Sequence, residues 1–327
     1  MDGSAEVRRM RERENRKPYL PVPRRVGMAD VVRLEELTAR YRSVDYPRGG
    51  GACRDELRDA AAWAEGLLDC HAAADVRRRL VIAVADLHNV AAWTCFDTGE
   101  RAWMRRHWAR ALELAREAGA DDLVANIRYR LGRVHLHDEE PRRAADQFEA
   151  GLFAVGRGRS SHTTALLRTN QAWAHAKAGR EAAAQARLSE AFDHLDRADG
   201  EPPAAWSKFF DLVDFVAMTG VVHTELAQSC DARHAPTAVA ALHAATERYG
   251  ADMGRSRVFS LIALSTANLL GGDDDEAVRV ARAAVEAGAA VHSERVSDRI
   301  RPLGRLAHRR GNRELAAVVS DFVGSRC

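Results

Sequence analysis

Lysine is almost missing from this 327-residue chain: Lys17, Lys177 and Lys208 stand against 46 arginines. With abundant alanine, that imbalance is the mark of GC-rich coding, so arginine richness by itself does not point to nucleic acid. The formal net charge is only +2, which excludes a chain-wide field that would gather polyanions. Cysteines are few, at 53, 70, 95, 230 and 327, odd in number and without a C-x-x-C pair. That excludes a zinc knuckle or a disulfide framework and points to a reducing cytoplasm; Cys327 reads as an inert terminal thiol. Long apolar runs are missing too. The best, Val258 to Leu270, is broken by Ser260, Ser265, Thr266 and Asn268, short of the ~18–20 residues of a membrane span. Arg8, Arg9, Arg11 and Arg13 precede no apolar stretch, so they do not open a signal peptide. There is no G-x-S-x-G, H-E-x-x-H, dinucleotide glycine fingerprint or Cys–His signature. The expectation is therefore a protein that is not an enzyme, with no cofactor and no metal.

Apolar residues are 46% and charged residues 29% of the chain, enough for a core and a wet surface. Residues 1–27 carry eight basic and four acidic side chains, then Pro18, Pro21 and Pro23. Proline spacing of this kind stops a helix, so the segment reads as a basic arm and linker. Residues 28–327 read as one folded unit. Within it Val31, Leu34, Leu37, Thr38 and Tyr41 keep helical spacing until Pro47 and Gly49-Gly50-Gly51. Asp55 to Leu68 and Asp75 to Phe96 follow the same rule. No segment alternates with period two, so no sheet is expected.

The strongest signal is an internal repeat. A small residue, a large one four later and a small one three later recur: Met104, Trp108, Ala111 in looser form, then Ala144, Phe148, Gly151. Ala184, Leu188, Ala191, then Ala238, Leu242, Ala245 and Ala277, Ala281, Ala284 continue it, the last with alanine at the large position. Their last members are separated by 40, 40, 54 and 39 residues. Small side chains one heptad apart let a second helix come close, and the bulk between them fills its groove. Turn signals sit before each set, at Gly99, Asp138-Glu139, Gly179 and Gly271-Gly272. Helix, turn and helix repeated at this period make an all-α solenoid of helical hairpins, similar to tetratricopeptide repeats. The long interval exceeds the others by about one helix and holds Pro202, Pro203, Trp206, Phe209 and Phe210. Residues 295–323 read as two closing helices, the first interrupted by Pro302.

In such hairpins the first helix of each repeat faces inward. The register puts those helices near 85–97, 125–137, 165–177 and 258–270. Their inward positions are Asn89, Trp93, Asn126, Tyr129, Arg130, Arg133, Asn170, Trp173 and Lys177. Asparagine is a poor mid-helix residue. An amide that both donates and accepts can grip a peptide backbone, Arg and Lys can hold a carboxylate, and Trp is an apolar shelf. Together they form a candidate groove for a peptide or protein; the alternative is that Trp is core and Asn bridges helices.

Seven arginines between 295 and 313 face one acid, Asp298. Arg295, Arg299, Arg301, Arg305 and Arg309 are candidates for an acidic partner or nucleic acid, with a solvated face as the alternative. No aromatic residue lies among them, which weakens single-strand binding. His135-x-His137 with Asp138, Glu139 and Glu140 has the flavour of a metal site. On a helix those two histidines diverge, so it reads as a turn. Gly156-Arg157-Gly158-Arg159-Ser160-Ser161 lacks the ending of a P-loop and reads as a linker.

Several stretches resemble a known family. Arg24-Arg25-Val26-Gly27-Met28-Ala29-Asp30-Val31, Leu34-Glu35-Glu36-Leu37-Thr38, Asp45-Tyr46 and Gly49-Gly50-Gly51 are similar to the start of the C-terminal region of actinobacterial XRE-type transcriptional regulators. So are Trp93-x-x-x-Asp97-x-Gly99, Ala111-Leu112-x-Leu114-Ala115 and Ser293-x-Arg295-Val296. The resemblance spans roughly 24–323. It implies a tetratricopeptide-like sensor region and a role in regulating transcription. The helix-turn-helix of that family has no counterpart in the 23 residues before Arg24. The expected function is thus a regulatory module that captures a peptide or protein on its concave face. The alternatives are a DNA-associated regulator using its basic ends, with weak or indirect contact, and the sensor half of a helix-turn-helix regulator with a shortened N-terminus. A second copy of the chain is a further candidate partner; a membrane is not.

Overall fold

A computed structural model describes residues 21–325 apart from 49, 157–159, 199, 201, 205 and 292. The basic arm up to residue 20, the Gly49 position, the centre of the 156–161 segment and Cys327 lie outside the described residues. Among the described residues there are fourteen α-helices and no strand. Just before the first helix the Val26 amide donates to the His71 carbonyl at 2.9 Å, and Val26 is buried.

Helices α1 (Met28–Arg48) and α2 (Arg54–Leu67) both pack on α3 (Ala74–Asp97). From there consecutive helices pair as hairpins. They are α3 with α4 (Arg101–Glu117), α5 (Asp121–His137) with α6 (Pro141–Val155), and α7 (Ser161–Lys177) with α8 (Glu181–Arg197). Then come α9 (Leu212–Ser229) with α10 (Ala235–Thr246), α11 (Gly254–Gly271) with α12 (Asp274–Ala289), and α13 (Glu294–Arg310) with α14 (Arg313–Gly324). This is the expected all-α hairpin solenoid. Every residue of the five repeat sets is buried, Trp108 and Phe148 among the most deeply. The inward helices α3, α5, α7 and α11 match the expected register to within four residues, apart from the longer N-terminal reach of α3.

The turns explain the period. Gly99, Gly179, Gly272 and Gly311 all have left-handed φ, between 68° and 88°, where a Cβ is penalised. Glu139 holds the equivalent place in the second hairpin with φ 58°. One helix exceeds what the apolar runs suggested. α3 is long and apolar enough to cross a membrane by composition, but it is packed inside the N-terminal part of the core, with seventeen of its residues buried.

Two features differ from expectation. Among the described residues the long interval adds no helix: those between α8 and α9 form a loop whose Trp206 and Phe210 turn inward and are buried. Pro202 and Pro203 oppose a helix there. His162 of α7 pins the loop, its Nε2 at 2.6 Å from the Phe210 carbonyl and its Nδ1 at 3.2 Å from the Ser207 hydroxyl. Second, α13 runs through Pro302 from Glu294 to Arg310. Its apolar stripe of Val296, Ile300, Leu303 and Ala307 stays buried, so packing outweighs the lost backbone bond.

The inward helices form a wall in which each odd-numbered helix touches the next, and α1 also touches α11. The wall therefore comes back upon itself. Hairpin closeness rests on small residues such as Gly132 of α5, where an added Cβ would lie 2.3 Å from the Phe148 ring of α6. Gly132→Ala should therefore lower stability by ~1–3 kcal/mol, read as a reduced Tm with unchanged helical circular dichroism; an unaltered Tm would contradict this packing.

Candidate functional site

The wall closes around one buried carboxylate. Asp97, the last residue of α3, is fully buried. Its Oδ1 accepts from Arg295 Nε at 2.6 Å and from the Ser293 hydroxyl at 2.9 Å. Its Oδ2 accepts from the Gly50 amide at 2.7 Å and from Arg255 at 3.1 Å. Arg255 also holds Asp45 of α1, at 3.1 and 3.3 Å. Burial alone would raise the Asp97 pKa, but Arg295 and Arg255 hold it well below the usual carboxylate range. Gly50 is needed for the approach, since a Cβ there would sit 2.7 Å from the Thr94 backbone. The first hairpins are thus clasped to the N-termini of α11 and α13.

Inside the clasp lies a narrow cavity of about 100 Å³. The structure gathers six of the nine expected groove residues there: Trp93, Asn126, Tyr129, Arg130, Arg133 and Asn170. They do not line an open groove, because all but Arg133 are buried and Trp206, Phe209 and Phe210 fill the concave side against them. Tyr129 lies 6.3 Å from the Trp206 ring and 6.2 Å from Phe209. The three asparagines have separate fates. Asn89 accepts from the Trp108 indole N–H at 3.1 Å and lines neither cavity. Asn170 donates to the Leu166 carbonyl at 2.8 Å and accepts from Arg133 at 3.3 Å. Asn126 is wholly buried, with neither amide atom partnered among the described residues.

Opposite them sits Asp214 of α9, which the sequence did not single out. It is buried, accepts from the Tyr249 hydroxyl at 3.1 Å, and burial pushes its carboxyl up to about 7. Asp211 caps α9 by accepting from the Asp214 amide at 3.0 Å, and that spacing in a sequence signals a helix start, not a site.

An outer cleft of about 690 Å³ opens on the other side of Trp173 and Arg299. Trp173, Val221, Phe259 and Ile262 supply its apolar lining, and Lys177, Arg299, Arg301, Arg305 and Arg309 its cations. Lys177 is bound at 3.0 Å to Glu139 and at 3.3 Å to Glu225. The expected arginine face is divided by its own packing. Arg295 is buried on Asp97, which takes it out of reach of a polyanion. Arg299 is half-buried between Trp173 at 4.8 Å and Phe259 at 4.5 Å. Burial, then Arg133 and Arg295, push its guanidinium down to about 9. Arg301 pairs with Asp298, and Arg305 and Arg309 are exposed on the rim.

The two histidines of the acidic turn diverge as helical geometry requires: His135 meets Glu140 at 2.7 Å and His137 meets Asp298 at 3.2 Å. No group of metal-ligating residues occurs among the described residues. Ser160 caps α7 through the Thr163 amide at 3.2 Å.

No family model and no curated protein sequence matches the chain. Among solved structures it is similar to BtubC (BKLC) from P. vanneervenii, at 17% identity and TM-score 0.44, over 80% of this chain and 91% of that one. It is also similar to the Rap protein complexed with Competence and Sporulation Factor, at 11% identity and TM-score 0.48, over 90% and 91% of the two chains. These values are low, and the fold assignment rests on the hairpins themselves.

Removing one partner of a buried ion cluster strands the others. Asp97→Ala should cost ~3–5 kcal/mol and speed amide exchange in α1, α11 and α13 first; a Tm within one degree of the parent would refute the clasp. Asp214 gives a pH signature. Its folded pKa near 7 lies above the unfolded carboxylate value of 3.8, so the folded state holds the extra proton and stability falls as pH rises from about 4 to 7. Burial lowers His107 to about 4, which gives the opposite slope in that window. The informative quantity is therefore the parent's Tm minus that of Asp214→Asn, which should decline across this range; a flat difference would count against it.

Proposed function

We propose that this chain is a cytoplasmic regulatory binding module, without catalytic activity, that captures an acidic peptide or protein segment on its concave side in the control of transcription. One observation carries this reading: the outer cleft joins an apolar floor to exposed Arg305 and Arg309, for which no carboxylate lies within ion-pair distance among the described residues. The floor of Trp173, Val221, Phe259 and Ile262 would bury apolar side chains of the segment, and the rim would meet its carboxylates. The scaffold suits this use, because hairpin solenoids offer long concave surfaces. The link to transcription rests on the resemblance in 24–323 to actinobacterial XRE-type regulators. A nucleic-acid role through the arginines of α13 is the weaker reading, since Arg295 and Arg299 are turned inward.

Selection from a displayed library of random dodecapeptides tests the proposal. Selected peptides should be rich in Asp and Glu, and Arg305→Glu with Arg309→Glu should weaken them by a factor of ten or more, on the order of 1.4 kcal/mol. The outward substitution Arg313→Glu should leave binding within twofold. Selection of basic or charge-neutral peptides, or binding indifferent to the cleft substitutions, would reject it.

A further inference from the structure

The inner cavity holds unused hydrogen-bonding capacity. Asn126 Oδ1 and Nδ2 have no partner among the described residues, and neither has the Trp206 indole N–H, though both residues are buried. Buried polar atoms are almost always paired. Three unpaired atoms on residues lining one cavity point to an occupant. The space of about 100 Å³ is well above the ~10–15 Å³ that one water needs.

Charge narrows the choice. Arg133 and Arg299 both line the cavity and lie over the same Trp173 ring, at 4.9 and 4.8 Å. Neither has a carboxylate within ion-pair distance among the described residues. Arg133 donates only to neutral oxygens, those of Tyr129 and Asn170, at 3.3 Å each. The nearby negative charges are engaged elsewhere: Asp45 and Asp97 with Arg255 and Arg295, and Glu225 with Lys177 and the Trp173 indole. Asp214 is held largely neutral by burial up to a pH of about 7. Two like charges at one indole are left for an anion to relieve.

We propose that the inner cavity is a binding site for a small carboxylate that also carries a hydrogen-bond donor, as an α-hydroxy or α-amino acid does. Its carboxylate would sit between Arg133 and Arg299. Its hydroxyl or amine would donate to Asn126 Oδ1, and the Asn126 and Trp206 N–H groups would donate to its oxygens. A hydrogen phosphate dianion also has one O–H to offer Asn126 Oδ1, so it is the competing occupant in the test. An apolar cavity of about 150 Å³ holds benzene, so this one takes on the order of four to six non-hydrogen atoms. Val221, Phe259 and Arg299 line both the cavity and the outer cleft. These shared side chains separate the two spaces, and the entry route would pass between them.

The test uses the full chain, dialysed into chloride buffer. Glycolate, L-lactate, glycine and L-alanine are titrated beside acetate, phosphate and chloride at matched ionic strength, and Tm is read. At least one of the four acids should raise Tm saturably by ~2 °C or more, beyond acetate and phosphate. Asn126→Leu should keep or exceed the parent's Tm without ligand, since it removes an unpaired amide, and should lose the response. Arg299→Gln should lose it as well, whereas Arg305→Glu with Arg309→Glu should retain it, which separates this site from peptide capture in the cleft. A response no larger than that to chloride, a larger one to acetate or phosphate, or one surviving in both Asn126→Leu and Arg299→Gln would overturn the proposal.

Discussion

The architecture depends on one desolvated carboxylate. A stack of hairpins has no intrinsic reason to close, because each repeat buries its apolar face on its neighbours alone. Asp97 supplies the reason. It takes four hydrogen bonds from three distant parts of the chain: Gly50, Arg255, and the Ser293–Arg295 corner. A buried charge is tolerated only when its lone pairs are filled by well-placed donors. Here that requirement fixes where α1, α11 and α13 stand relative to α3. Apolar packing alone is non-directional and would leave the end of the arc free to slide.

Closure changes what the concave side can be. An open arc would present Trp93, Asn126, Tyr129 and Asn170 to a long ligand. In the clasped arc they are walled in, and the loop bearing Trp206, Phe209 and Phe210 occupies the place a peptide would take. What remains accessible is displaced toward the far mouth, where α7, α9, α11 and α13 frame the outer cleft. Arg299 stands between the two spaces, held by Trp173 and Phe259.

Much of the scaffold was legible in the residues. Ala144, Phe148 and Gly151 and their counterparts marked the outer helices because a close helix contact demands small–large–small spacing. Gly99, Gly179 and Gly272 marked the turns because only glycine adopts their φ at no steric cost. The inward register followed from these, and six of the nine inward residues do meet at one cavity. The division of the arginines on α13 was not legible. Arg295 and Arg305 are alike in a helical wheel of charges, yet one is sealed on Asp97 and the other is exposed. Nor was the inward turn of Trp206 and Phe210, since a proline-flanked aromatic cluster reads equally as an added helix. Asp45, Gly50, Trp93, Asp97, Ser293 and Arg295 were all noted as marks of resemblance; that five of them converge on the clasp, and Trp93 stacks on Arg295 at 4.6 Å, is a fact of three dimensions.

Helix, turn and repeat period were determined by the sequence itself, because they arise from contacts a few residues apart, or between adjacent repeats of fixed length. Closure of the arc, the pairing of Asp97 with Arg255 and Arg295, and the split of the concave side into cavity and cleft were decided by tertiary structure alone. Those contacts join residues separated by 158 to 210 positions, a distance over which no local period carries information. Their strength comes from burial, which exists only once the chain has folded around them.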